Sequence, residues 1–307
     1  MTHLTRRNLL ATGTALPFAG LAAGAARAEA PMQGASFATH RRFMIGDFEV
    51  TTILGGTTPR EEPQSIFGMN VSEEEFNEVS RANFLSTEAA QFFFTPTLVN
   101  TGSELILFDT GLNAAATLAA IEGAGYTADQ VDIVVLTHMH GDHIGGLMNE
   151  GAPTFTNARY VAGQVEWDHW AGAENERFES NVRPLADQTT FIDDGGDVVS
   201  GVTGMAAFGH TPGHMVYRLD SAGAGLVIFA DLANHPVWSL ARPDWEVRFD
   251  ADKEAAAASR RNVLGMIAAD RVPAVGYHMP FPALGYVDTG NDDAAFRWVP
   301  ESGQLMG

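Results

Sequence analysis

Residues 137–146 read THMHGDHIGG, so three of the chain's ten histidines fall within six positions, with an aspartate between the second and third. Imidazoles crowded on a surface gain nothing, and in a core they cost stability unless each finds a partner. A metal accounts for them. His138 and His140 are two apart on an extended segment, so their side chains point to one side. Asp142 and His143 follow at a turn and point toward a second, adjacent centre. Imidazole nitrogens and carboxylate oxygens suit zinc, manganese or iron. Four candidate ligands at one strand end are too many for one ion that must also keep a water, which favours two ions.

Three other stretches place metal-binding side chains beside apolar runs. In FGHTPGH (208–214), His210 comes just after a segment that reads as a strand, and Pro212-Gly213 turns the chain. VIFADLANH (227–235) reaches Asp231 at the end of an apolar run, and AVGYHMP (274–280) does the same for His278. One strand-end His or Asp is ordinary turn chemistry. Four strand ends carrying only metal-binding side chains are not.

A site drawn from several strand ends needs a layered scaffold. Residues 45–54, 92–99 and 104–108 are apolar or alternating and rich in β-formers, and VDIVVLT (131–137) is a short apolar run of the kind a buried strand needs. Further strands are expected at 188–192, 197–200, 203–208, 214–220, 225–230 and 274–277. Alanine-rich 113–123 reads as a helix, with shorter helical pieces at 143–149 and 163–171. The clearest helix spans 252–269, opened by Asp250 or Asp252 and ended before Pro273. Strands and helices alternate without a break in composition, which argues for one layered α/β domain.

The 307 residues hold 18 basic and 38 acidic side chains and no cysteine, so any metal site must use histidine and carboxylate ligands. Thr5-Arg6-Arg7-Asn8-Leu9-Leu10 is a twin-arginine pattern heading an Ala/Gly/Leu-rich stretch, and Ala26-Arg27-Ala28 supplies a small-x-small cleavage site. We read residues 1–28 as an export signal and 29–307 as a single domain that is periplasmic or secreted. The stretch is weakly apolar and broken by Pro17 and glycines, so no stable membrane association is expected after its removal. Residues 1–28 contain three basic residues and no acid; the remainder has 15 basic and 38 acidic residues, a formal charge of −23. Such a surface repels nucleic acid and anionic membranes. A homodimer is the one protein partner left open.

Taken in order, THMHGDH, GHTPGH, FADLANH and GYHMP resemble the metallo-β-lactamase superfamily over nearly the whole chain after the signal. The resemblance implies an α/β fold: an αββα sandwich of two mixed sheets flanked by helices, with the site at one edge between the sheets. It implies that His138, His140 and His210 hold one divalent metal and that Asp142, His143 and His278 hold the other. Asp231 would bridge them, and zinc is the first expectation, with manganese, iron or cobalt behind it. Asp109, in LFDTG, matches a loop that supports the ligand histidines, and His214 would be structural rather than a ligand. The missing cysteine excludes the lactamase subclasses with a thiolate ligand, and Asp231 argues against the remaining one. Glyoxalase II would need a longer helical extension after residue 278. The layout is most similar to the branch holding N-acyl-homoserine lactonases and methyl parathion hydrolase. The IGG after His143, RFDAD (248–252) and HMPFPALGY (278–286) favour the latter subgroup.

Two cations lower the pKa of a shared water to about 7, so a bridging hydroxide is expected to attack a carbonyl carbon or phosphorus, oriented by Asp142 and Asp231. Asn234 stands where the lactonases often place a tyrosine, and its amide could assist at the carbonyl oxygen. Phe92-Phe93-Phe94, Trp167, Trp170, Trp238, Trp245 and Phe281, with His235, are candidates for an apolar pocket. No Lys/Arg cluster stands near the motifs, so a small uncharged lactone or ester is the expected substrate and a phosphotriester the alternative. Two rivals remain. One is a non-hydrolytic metal-dependent oxygenase, against which two full ligand sets argue. The other is an aspartic protease using Asp109 and Asp288 of two DTG triplets, whose carboxylates would have to share a proton.

Overall fold

The apolar runs are gathered into two seven-stranded mixed sheets in a computed structural model describing residues 32, 34–290 and 294–303. The expected signal at 1–28 lies outside the described residues. The first sheet is ordered His40–Ile45, Phe48–Ile53, Thr97–Asn100, Leu105–Phe108, Ile133–Leu136, Arg159–Gly163 and Thr189–Ile192, and its last four strands run parallel. The second is ordered Asp197–Val199, Val202–Ala206, Met215–Ser221, Ala224–Ala230, Pro273–Gly276, Leu284–Thr289 and Phe296–Pro300. Its one parallel pair is Ala224–Ala230 with Pro273–Gly276.

Successive side chains of a strand face opposite ways, and both faces of the first sheet are covered. Ile106, Phe108, Ile133 and Val135 meet Val216, Leu219 and Ile228 of the second sheet, while Val263, Leu264 and Ile267 of helix Lys253–Asp270 join the same apolar cluster. Leu105, Leu107, Val134 and Leu136 face the other way. They pack with Ile121 of helix Ala114–Gly123, Trp167 of Gln164–Ala171 and Phe178 of Glu176–Asn181. That is why VDIVVLT shows no alternation. The layers run helix, sheet, sheet, helix, and Phe37–Gly307 forms one compact unit.

Three expected elements differ. The run 45–54 contains a turn at Gly46-Asp47, where Gly46 has φ 56°, and so belongs to two strands. The run 92–99 breaks at Pro96: Ala89–Phe94 pairs with Gly56–Glu61, and Thr97–Asn100 enters the first sheet. Helix 143–149 is only one turn, Gly141–Ile144. A Cβ on Gly145 would strike the backbone of Leu112, and one on Gly146 the carbonyl of Thr110. The two glycines let this loop lie directly on the Asp109-Thr110-Gly111 loop. Helix Glu73–Ala82 was not expected, although Ser72 caps it by accepting from the Glu75 N–H at 3.2 Å. Of the two aspartates proposed to open the last helix, Asp252 does so, accepting from Ala255 N at 3.0 Å.

Candidate metal centre

Strands from both sheets end at one place. His138 and His140 follow Ile133–Leu136, and the turn Gly141–Ile144 presents Asp142 and His143. His210 follows Val202–Ala206, Asp231 follows Ala224–Ala230, and His278 follows Pro273–Gly276. The structure brings these seven residues into two groups, His138, His140, His210 and Asp231 in one and Asp142, His143 and His278 in the other. Within each, the ligand atoms lie within 4.8 Å of one another. Pairing of Ala224–Ala230 with its neighbour shifts register between Ile228 and Ala230, and Ala230 has φ 47°. A non-glycine residue held in that left-handed region stores strain, and here it turns Asp231 out of the strand.

Asp231 lies between the groups. Its Oδ2 is 3.2 Å from His210 Nε2 and 3.2 Å from His278 Nε2, and its Oδ1 is 3.2 Å from His143 Nε2. His140 Nδ1 faces His138 Nε2 at 3.1 Å and His210 Nε2 at 3.0 Å. Asp142 Oδ2 stands 3.4 Å from His278 Nε2. His143 Nε2 and Asp231 Oδ1 are both buried without a hydrogen-bond partner. Orphaned atoms of this kind are costly, and a cation between them satisfies both. The donor set of imidazole nitrogens and carboxylate oxygens fits two divalent metals.

Outer contacts aim the ligands. Asp109 Oδ2 pairs with His143 Nδ1 at 2.8 Å and accepts from Thr137 Oγ1 at 2.8 Å, while its Oδ1 accepts from Thr137 N at 2.9 Å. His278 Nδ1 donates to the Phe93 carbonyl at 2.7 Å. His210 Nδ1 meets Asp250 Oδ1 at 3.0 Å, and Arg260 Nη1 donates to Asp250 Oδ2 at 2.7 Å. Each contact leaves Nε2 free to face the centre. His214 has no nitrogen to spare: Nδ1 lies 3.2 Å from the Ala207 carbonyl, and Nε2 accepts from Asp231 N at 3.2 Å. Asn234 Nδ2 donates to Asp231 Oδ2 at 2.9 Å. Its amide is therefore committed to the carboxylate rather than offered to a substrate. Sequence reasoning missed Asp250 as a histidine partner and missed Tyr277, which donates to the Asp142 carbonyl at 2.5 Å.

Burial alone disfavours charged imidazole. It dominates at His138 and His140, lowering the first well below the usual range and the second to about 3. At His210 burial is outweighed by Asp231 and Asp250, which raise the pKa to about 9. At His278 it is outweighed by Asp231 and Asp142, which raise it to about 10. In the metal-free protein both residues are protonated at pH 7.5, and metal ligation needs them neutral. Metal uptake is therefore expected to release protons, and affinity to rise with pH until about 10. Calorimetric titration in buffers of different ionisation enthalpy measures the release; buffer-independent heats would show that both rings are already neutral.

A cavity of about 340 Å³ opens on this centre, lined by Phe92, Phe94, Leu112 and Phe249 with His140, Gly141, Asp142, Asp231 and His278. Arg60 and Arg177 complete its wall. Both are exposed, and neither forms an ion pair among the described residues. They come from stretches outside the histidine and aspartate motifs, so the absence of a Lys/Arg cluster near those motifs did not reveal them.

Of the aromatics proposed for the pocket, Phe92 and Phe94 line the cavity and the others lie elsewhere. Phe93 turns away from the cavity and packs edge-on against Phe37. Trp167 lies between Phe178 and Phe191. Trp238 is buried against Phe76, with its indole N–H on Ser80 Oγ at 3.0 Å. His235 stacks on Trp238, and its Nδ1 accepts from Val237 N and Trp238 N. Phe281 is half-buried in the turn after His278 and does not line the cavity. The protease reading also fails: Asp109 is engaged with Thr137 and His143, whereas Asp288 pairs with Arg297 at 2.8 Å on the far strands of the second sheet.

This fold and donor set are those of a centre suited to two divalent metals. The family model described as the metallo-beta-lactamase superfamily matches residues 95–274, and the chain belongs to that superfamily. Among solved structures it is similar to AidC, a dizinc quorum-quenching lactonase, at 27% identity and TM-score 0.79, over 87% of this chain and 98% of that one. It shares its fold with the beta-lactamase-superfamily hydrolase AbOPH at 24% identity and TM-score 0.81, over 88% of this chain and 100% of that one. It is 29% identical over 153 residues to a Beta-lactamase-like protein 2 homolog of Caenorhabditis elegans, covering 45% of this chain and 48% of that protein. The curated relatives it matches are thus spanned over less than half their length.

Proposed function

We propose that the protein is an exported dizinc hydrolase of small uncharged lactones or esters. The observation that carries this reading is the apolar wall of Phe92, Phe94, Leu112 and Phe249 directly above Asp142, Asp231 and His278. The likeness to a dizinc lactonase at 27% identity supports it. His138, His140 and His210 would hold one ion and Asp142, His143 and His278 the other, with Asp231 reaching both. Ions held there would supply an acidified water and Lewis acidity toward a carbonyl oxygen.

The remaining work falls to the chain. The aromatic wall seats an acyl chain and excludes bulk water. Asp231, fixed by Asn234, orients the attacking water. Asp142 is partly open to the cavity, so one of its carboxylate oxygens can take a proton and pass it to the leaving alkoxide.

Arg60 and Arg177 favour a second reading, in which the substrate carries an anionic group away from the reacting bond. The test compares kcat/KM for a neutral lactone with its carboxylate-tailed analogue, and for a neutral phosphotriester with its diester. A neutral lactone ahead of all the others is expected. Tenfold preference for the tailed lactone, lost in Arg177→Met, would establish the second reading; tenfold amounts to about 1.4 kcal/mol of transition-state discrimination. Preference for the triester would move the substrate class to organophosphates.

A further inference from the structure

His138 and His140 hang from the first sheet and His210 from the second, so strand pairing within either sheet does not set the gap between them. One buried side chain spans that gap. Glu166, in helix Gln164–Ala171, is 1% exposed, and its partners are all neutral donors. Its Oε1 accepts from Met139 N at 2.8 Å and Trp170 Nε1 at 2.7 Å; its Oε2 accepts from Thr211 Oγ1 at 2.7 Å and Gly213 N at 3.0 Å. Met139 lies between the first two histidines, and Thr211 immediately follows the third. A Cβ on Gly213 would collide with the backbone of Glu166, so this turn rests directly on the helix. Four donors on two oxygens satisfy a buried carboxylate. A glutamine could accept at one oxygen only and would set an NH2 group against N–H donors.

We infer that Glu166 is a positioning residue of the metal site formed by His138, His140 and His210, holding the two ligand-bearing loops at a fixed separation while Asp250 aims the His210 ring. The inference rests on the two-metal reading given above. The other site is braced by different groups: Asp109 on His143, the Phe93 carbonyl on His278 and Tyr277 on the Asp142 carbonyl. Loss of Glu166 should therefore weaken one ion and spare the other.

The experiment strips the full-length protein of metal and titrates it with cobalt(II), reading stoichiometry and visible absorption, with affinities from chelator competition. Wild type should take two equivalents. Glu166→Gln should hold one at wild-type affinity and the other about 10-fold more weakly, the low end of the loss seen on removing a ligand's direct partner, because Glu166 acts through the residues beside the ligands. The absorption of the weakened ion should also change. Thr211→Val removes one of the four donors and keeps the charge, so it should weaken the same ion by a smaller factor; it decides the matter if Glu166→Gln does not fold. Equal weakening of both ions, or a lower Tm with both affinities unchanged, would overturn the assignment. A wild type that binds fewer than two equivalents would instead undo the two-metal reading.

Discussion

Replacing Asp231 with alanine is expected to lower kcat/KM by at least about a thousandfold, some 4 kcal/mol of transition-state stabilisation. The carboxylate stands between the two ligand groups, 3.2 Å from nitrogens of His143, His210 and His278. Without it, each group loses a donor, and two divalent charges face each other with less negative charge between them. Metal content should fall to one equivalent or below, and the Asn234 amide should lose its acceptor. The measurement pairs steady-state kinetics with elemental analysis of the same sample. Two bound metals and near-normal turnover in this variant would remove Asp231 from the centre.

Chelation should abolish activity to the same extent or more, because water free in solution has a pKa near 15.7 and only a bound cation brings it to about 7. Activity should return on adding zinc in a titration that saturates at two equivalents, and pepstatin should have no effect. Full activity at one equivalent would reduce the site to a single working ion. Activity that survives a chelator and falls to pepstatin would revive the paired DTG triplets, against the separate engagements of Asp109 and Asp288.

The clustering of the seven candidate ligands was legible because a metal site leaves a local mark: histidine and aspartate at the ends of apolar runs. The sandwich followed from the same runs. The wall of the cavity was legible only in part, and Phe92-Phe93-Phe94 shows why. Alternation puts Phe92 and Phe94 on one face and Phe93 on the other. Which face meets the cavity depends on pairing with Gly56–Glu61, about thirty residues earlier, and the local sequence carries no sign of it. Arg60 arrives by the same pairing. Glu166 and Asp250 were missed for a related reason: each looks like an ordinary helix-end acid until the fold sets it under a histidine loop. Trp167 and Trp238 were misplaced because a large aromatic serves a core as readily as a pocket.

The ligands come from both sheets, and this bears on how long the protein lasts as well as on what it does. His138, His140, Asp142 and His143 belong to one sheet's edge and His210, Asp231 and His278 to the other's. Ions held among them fasten the two halves of the sandwich together. An ion that binds only the folded chain adds RT ln(1 + [M]/Kd) to stability, about 4 kcal/mol when free metal exceeds Kd a thousandfold. That is a large share of the 5–15 kcal/mol on which a folded domain typically rests. In surroundings poor in metal the sandwich would open more often along this seam, exposing Ile133–Leu136 and its neighbours to proteases. The supply of metal then governs how much of the protein persists, in addition to how much of it is active.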